Sequence, residues 1–172
     1  MKCPSCGYDN IEGADACEQC RYDLTDLPSD TKFGRIEEFL EQPIGTLPLA
    51  PPPIVGLNHP LHEVVKLLQE KNVGLVLVMH EGALLGVFSE RDLLLRVGDR
   101  YDELRQEPIR RFMTPNPDTL SVDDPVAFAL NRMDVGHYRH IPIMDGGTIK
   151  GVLSVRRILH HMASEHLDVM LE

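Results

Sequence analysis

No stretch of this sequence is apolar for long enough to cross a membrane, and the opening Met1-Lys2-Cys3-Pro4 lacks the apolar core of a signal peptide. The expectation is a cytoplasmic, unprocessed chain. Low-complexity runs are missing too, and 42% hydrophobic content over 172 residues allows one ordinary domain plus a small accessory one. There is no Gly-x-Ser-x-Gly, no P-loop, and no cysteine beyond the first twenty residues to act as a nucleophile. The chain is therefore read as non-catalytic. His59/His62, His137/His140 and His160/His161 have no acidic or cysteine partners at ligand spacing, so they read as solvated or strand-end residues.

Positive charge is scarce. The net charge is −10, and residues 1–43 hold ten acids against four bases, a net of −6. Phosphate neutralisation supplies most non-specific nucleic-acid affinity, so such a chain is a poor polyanion binder. Residues 108–162 are the exception, with seven bases and five acids. That local cluster suits the phosphates of a small ligand.

All four cysteines fall in two Cys-x2-Cys knuckles, Cys3/Cys6 and Cys17/Cys20, with ten residues between them. Two intervening residues let a tight turn aim both sulfurs at one ion, and two turns complete a thiolate tetrahedron with no open vertex. Gly7 follows the first knuckle, where a Cβ would crowd the returning chain; Arg21 follows the second. Two disulfides in a secreted mini-domain are the alternative, and the missing signal peptide argues against it. Residues 1–26 resemble the short zinc ribbons at bacterial and archaeal protein termini. Cys6-Gly7-Tyr8 is similar to the first knuckle of rubredoxins, which makes iron the alternative to zinc. A piece of about 24 residues cannot fold on its own burial, and structural zinc contributes about 10–16 kcal/mol in such peptides. Its expected role is structural or protein contact. Lys2 and Arg21 stand against Asp9, Glu12, Asp15, Glu18 and Asp23, which argues against nucleic acid.

Residues 27–43 read as an acidic linker with a short helix, Phe33 to Glu41, and the prolines at 43, 48 and 51–53 mark extended chain. Beyond them the sequence repeats with an offset of 65 positions and no gap: Pro60 meets Pro125, Gly82 meets Gly147, Gly86 meets Gly151 and Ser89 meets Ser154. Leu61, Val64, Val65 and Leu68 meet Val126, Ala129, Leu130 and Met133, each set one face of a helix. Val76/Val78 and Ile141/Ile143 suit buried strands. Each copy reads strand, helix, strand, turn, strand, helix, with the last helix capped by Ser89 or Ser154. One such unit leaves a sheet face open, and two together cover it.

Gly86-Val87-Phe88-Ser89-Glu90-Arg91-Asp92, Phe112-Met113-Thr114-Pro115, Tyr138-Arg139-His140-Ile141-Pro142-Ile143-Met144-Asp145 and Gly151-Val152-Leu153-Ser154 resemble CBS domains, the modules named after cystathionine β-synthase. The resemblance covers about residues 44–165. It implies an α/β fold: tandem β-α-β-β-α repeats, 44–107 and 108–165, forming two packed sheets after the small metal-bound β ribbon. It also implies a homodimer and clefts for AMP, ADP, ATP or S-adenosyl compounds. Carried onto these residues, Ser89 and Asp92 would hold ribose, and Thr114 to Asp118 with Tyr138 would line adenine. Arg139 and His140 would face phosphate, with Arg91 assisting. Ser89 and Asp92 also form a near capping box that needs no ligand. The second cleft reads as degenerate, since Arg157 stands where Asp92 does, Leu49 where Thr114 does, and Gly74 and Leu75 where Arg139 and His140 do.

The leading expectation is a regulatory adenine-ligand sensor that reports to an unknown protein partner. The alternatives are an iron-bearing redox protein and a ribbon adaptor on nucleic acid or a nucleic-acid enzyme. The tail, 166–172, reads with Glu165 as a last helix aiding dimer packing.

Overall fold

The computed structural model describes residues 2–3, 5–11, 13–24 and 32–166. Residues 27–31 of the forecast linker and residues 167–172 of the forecast tail lie outside the described residues. The chain forms two compact units, Met1–Glu38 and Phe39–Glu172.

The first unit is two copies of one backbone turn. Cys3 N–H donates to Tyr8 O (2.9 Å) and Gly7 N–H to Cys3 O (2.9 Å); fourteen residues on, Cys17 N–H donates to Tyr22 O (2.8 Å) and Arg21 N–H to Cys17 O (2.9 Å). Gly7 and Arg21 both take positive φ, 73° and 61°, and a Cβ at Gly7 would meet nothing within 4 Å, so the left-handed backbone and not the expected crowding is what favours glycine there. Arginine thus occupies the left-handed position that glycine fills more cheaply. Asn10 ties the knuckles together, donating to Tyr8 O and accepting from Glu18 N–H. Antiparallel bridges Lys2↔Asp9 and Ala16↔Asp23 complete a minimal ribbon.

The second unit carries the duplication in its backbone. The first sheet runs β1 (Ile54–Gly56), β2 (Leu75–His80), β3 (Ala83–Ser89), β4 (Thr114–Pro115), with β1 parallel to β2 and the other pairs antiparallel. The second runs β5 (Leu120–Ser121), β6 (His140–Asp145), β7 (Thr148–Ser154), with β5 parallel to β6 and β6 antiparallel to β7. Helices α2 (Leu61–Lys71) and α5 (Val126–Val135) start behind Pro60 and Pro125, since proline suits the first turn, where its missing N–H costs nothing. Asn72 and His137, 65 residues apart, both turn left-handed behind these helices.

Strand β2 is buried on both faces. Val76 and Val78 pack with Leu61, Val64, Val65 and Leu68 of α2. Leu75 and Leu77 meet Val152 of β7, with Met79, Leu84, Val87 and Ile149 around them. The alternation of a strand sends neighbouring side chains to opposite faces, so one apolar run serves its own helix and the other sheet.

The packing interleaves the copies. Phe39, near the end of α1 (Lys32–Glu41), lies with Ile44 and Leu47 in the core of the second copy. Their counterparts 65 residues on, Leu104, Ile109 and Phe112, lie in the core of the first. Backbone bonds follow the same exchange: Ile44 N–H donates to Asp124 O (2.8 Å) and Gly45 N–H to Val122 O (2.8 Å), matched by Ile109 to His59 (2.9 Å) and Arg110 to Leu57 (3.2 Å). Ala50 bridges Val152 as β4 pairs with β3. Each copy is therefore closed by the segment that precedes the other.

The capped helices differ between copies. Helix α6 (Val155–His166) is continuous. After Ser89 the chain makes one α-turn, α3 (Glu90–Asp92), a π-turn over Leu93–Val97, a 3-10 turn from Gly98 and then α4 (Tyr101–Leu104). Gly98, which stands where the second copy has Ala163, sits at φ 52°. That left-handed residue ends the helix where alanine continues it.

Candidate functional site

Cys3, Cys6, Cys17 and Cys20 converge, one sulfur from each lying within 4.8 Å of the others. Cys3 to Cys20 and Cys6 to Cys17 are each 3.6 Å. A disulfide needs about 2.05 Å, whereas a tetrahedron of metal–sulfur bonds of about 2.3 Å has edges of about 3.8 Å. The sulfurs fit a metal ion. Burial raises the Cys17 thiol, but N–H groups of Cys20 and Gln19, with Asn10 and Cys6, outweigh it and bring it down to about 6. The N–H of Tyr8 works to lower Cys6, yet Cys20, burial, Cys17 and Cys3 push it up to about 12. Four adjacent thiols share the first negative charge readily and resist the last, and a cation removes that resistance.

In the second unit, Ser89 ends β3 in extended conformation and caps α3. Its backbone N–H (2.9 Å) and Oγ–H (2.6 Å) donate to Asp92 Oδ2, and Asp92 N–H returns a bond to Ser89 Oγ (3.3 Å). The other oxygen, Oδ1, accepts from Thr114 Oγ1 at 3.2 Å and pairs with Arg96 Nε at 3.3 Å. The Asp92 side chain is 14% exposed, so the carboxylate is held yet open on one side. Arg96 also donates through Nη1 to the carbonyls of Phe112 (2.8 Å) and Met113 (2.6 Å), and through Nη2 to Thr114 Oγ1 (2.9 Å). It locks the strand edge carrying Thr114 against the helix start carrying Asp92. Sequence reasoning passed over Arg96, although Asp92 and Arg96 have the i, i+4 spacing of a helical ion pair.

Arg91 crosses between the copies, Nη1 donating to His137 O at 2.7 Å. Asp118 accepts from Tyr138 Oη (2.8 Å) and Arg132 Nη2 (2.9 Å). Burial, then the Asp118 carboxylate, pushes the Tyr138 hydroxyl up to about 12. The His140 ring lies on Gly74, where an added Cβ would sit 2.5 Å from Cε1. Burial lowers the His140 pKa below its ordinary value; Glu90 opposes this and Arg139 reinforces it. The Arg139 side chain is exposed. Ser89 and Thr114 thus each hold Asp92, Asp118 and Tyr138 form a second contact, Arg91 and His140 reach across the seam between copies, and the Arg139 side chain joins neither contact among the described residues. A shallow cavity of about 340 Å³ lies elsewhere, lined by Met79, Leu84, Met144 and Ile149 near the hairpin turns, and includes none of these residues.

Residues 44–99 and 109–164 both match the family described as CBS domain. The chain belongs to the CBS domain family. It is similar to CBS domain-containing protein CBSCBSPB5 of Arabidopsis thaliana, 31% identical over 107 residues, 62% of this chain and 20% of that protein. The chain thus spans a fifth of that relative's length. Among solved structures it is similar to an uncharacterized conserved protein of Pyrococcus horikoshii, with TM-score 0.65 and 27% identity over 73% of this chain and 94% of that one. It is also similar to CBS domain protein PAE2072 of Pyrobaculum aerophilum, described as complexed with AMP, with TM-score 0.62 and 28% identity over 72% and 99%.

The second CBS repeat builds a different helix start. Arg157, in the place of Asp92, donates its N–H to Ser154 Oγ (3.3 Å) and Nη1 to Pro48 O (3.3 Å). Leu49, in the place of Thr114, lies against the Gly151 backbone. The acceptor pair that marks the first CBS repeat is replaced by a cation and a hydrocarbon. No helix among the described residues is long and apolar enough to cross a membrane.

Proposed function

We propose that this chain is a non-catalytic regulatory protein whose CBS pair binds an adenine nucleotide or S-adenosyl compound at Ser89, Asp92, Thr114, Asp118 and Tyr138. Arg91, Arg139 and His140 lie on the phosphate side. The observation that carries this reading is the Asp92 carboxylate, fixed by the Ser89 cap and by Arg96 beside Thr114. A ribose diol offers two hydroxyls to such an acceptor, and the AMP complex of the P. aerophilum protein supports the ligand class. Cys3, Cys6, Cys17 and Cys20 hold zinc in the ribbon (1–26). The ribbon and linker (27–43) precede repeats at 44–107 and 108–165 and a tail at 166–172. The protein acts in the cytoplasm as a homodimer, and the ribbon meets a protein partner.

The test is a thermal-shift comparison of the metal-loaded chain with AMP, ADP, ATP, S-adenosylmethionine and GTP. Ligand at a hundredfold excess over Kd adds about 2.7 kcal/mol to the native state. Adenine compounds are expected to stabilise the wild type and not Asp92→Ala; equal shifts in both would remove the site assignment. Iron is the second reading, favoured by Cys6-Gly7-Tyr8, and elemental analysis with a visible spectrum separates it from colourless zinc.

A further inference from the structure

Arg96 spends its guanidinium inside the protein. Nη1 donates to the carbonyls of Phe112 (2.8 Å) and Met113 (2.6 Å), Nη2 donates to Thr114 Oγ1 (2.9 Å), and Nε pairs with Asp92 Oδ1 at 3.3 Å. These contacts leave Thr114 no choice of polarity. A guanidinium holds no acceptor, so Oγ1 accepts from Nη2; an ionised carboxylate holds no donor, so the hydroxyl hydrogen goes to Oδ1 at 3.2 Å. A hydroxyl has one hydrogen and two lone pairs, which leaves Oγ1 one lone pair. Oδ2 already accepts Ser89 N–H and Oγ–H, so Oδ1 is the carboxylate oxygen left to a ligand. Thr114 and Asp92 therefore present two oxygens, 3.2 Å apart, that can only accept. In the second repeat all three positions change together, Asp92 to Arg157, Thr114 to Leu49 and Arg96 to His161.

Resting on the ribose reading of Asp92, we propose that Arg96 is a positioning residue that fixes Thr114 Oγ1 and Asp92 Oδ1 as a pair of acceptors, making the cleft specific for an intact ribose diol over deoxyribose. Two adjacent hydroxyls are the complement of that pair, one donating to each oxygen. A sugar lacking either hydroxyl leaves an acceptor unpaired, and a site built to bond a hydroxyl rejects the analogue without it. In the absence of Arg96 the Thr114 hydroxyl turns freely, donates as well as accepts, and no longer selects for two donors.

Titration calorimetry of the metal-loaded full chain with AMP, 2′-deoxy-AMP and 3′-deoxy-AMP tests this. AMP is expected to bind about tenfold more tightly than either deoxy compound. Arg96→Met keeps an unbranched stem and removes every donor; it is expected to bring the three compounds within about threefold of one another. Should that variant fail to fold by circular dichroism, Arg96→Lys takes its place. A point charge without the planar fork cannot serve Thr114 and both carbonyls together, so the same narrowing is expected. A folded variant that keeps the full preference for AMP, even with all three bound more weakly, makes Arg96 structural only; that overturns the assignment and leaves ribose at Asp92. Equal binding of the three by the wild type overturns the acceptor pair and takes ribose off Asp92. Failure of AMP to bind overturns the nucleotide reading itself, and this assignment with it.

Discussion

Asp92 serves two neighbours with its two oxygens. Oδ2 closes the capping box with Ser89, and Oδ1 faces Thr114 and Arg96. Asp92→Ala removes the cap partner and the ion pair together. About 1–2 kcal/mol of stability should be lost, read as a lower denaturant midpoint without ligand. His140 makes a pH prediction. Its folded pKa lies below the 6.5 of the free group because burial disfavours the charged ring, against Glu90 and with Arg139. The unfolded chain therefore binds more protons near and below pH 6.5, so this contribution is present above 6.5 and lost as pH falls. His140→Gln should flatten that part of the stability profile, and identical urea midpoints against pH in both proteins would contradict it. Gly74→Ala would drive a methyl into the same ring, with an expected cost of about 1–3 kcal/mol.

The elements at work are the segments exchanged between copies. Phe39 is fully buried, and its ring also meets His161 at 6.1 Å. Phe39→Ala should cost about 3–5 kcal/mol. Because Phe39 packs with Ile141, Ile143 and Leu153, hydrogen exchange should speed up first in β6 and β7, not in β2 and β3. Equal acceleration in both sheets would deny the exchanged packing. The broken helix after Asp92 shows the same dependence on context. Leu93-Leu94-Leu95 is a good α-helical run by propensity, yet it lies wholly within the π-turn that stops at Gly98, with Leu94 and Leu95 exposed. A π-turn inside a helix often sits at a functional site, and here it carries Arg96 beside Asp92.

At the scale of the whole chain, two units rest on different sources of stability. The second has apolar cores in both copies and between the sheets. The ribbon has Cys3, Cys17, Leu24 and Ala14, too little to offset the entropy of about 20 ordered residues. Chelation should therefore abolish amide protection in residues 2–24, and Cys17→Ser should lose stoichiometric metal by elemental analysis. Retention of full protection in a metal-free sample would show that the ribbon folds without an ion.

Much of this was legible in the sequence because it depends on residues a few positions apart. Cysteine spacing marks the knuckles, the 65-residue offset marks the two copies, and Ser89 with Asp92 marks a helix start. Turns, caps and amphipathic faces are local, and residue type at a fixed spacing is enough to specify them. The long-range contacts are of another kind. Arg91 on His137, His140 on Gly74, Arg96 on the carbonyls before Thr114 and Phe39 in the second core join residues from 16 to more than 100 positions apart. Only the folded backbone path brings such groups together, and it alone decided which cations are engaged and that Arg139 stays exposed.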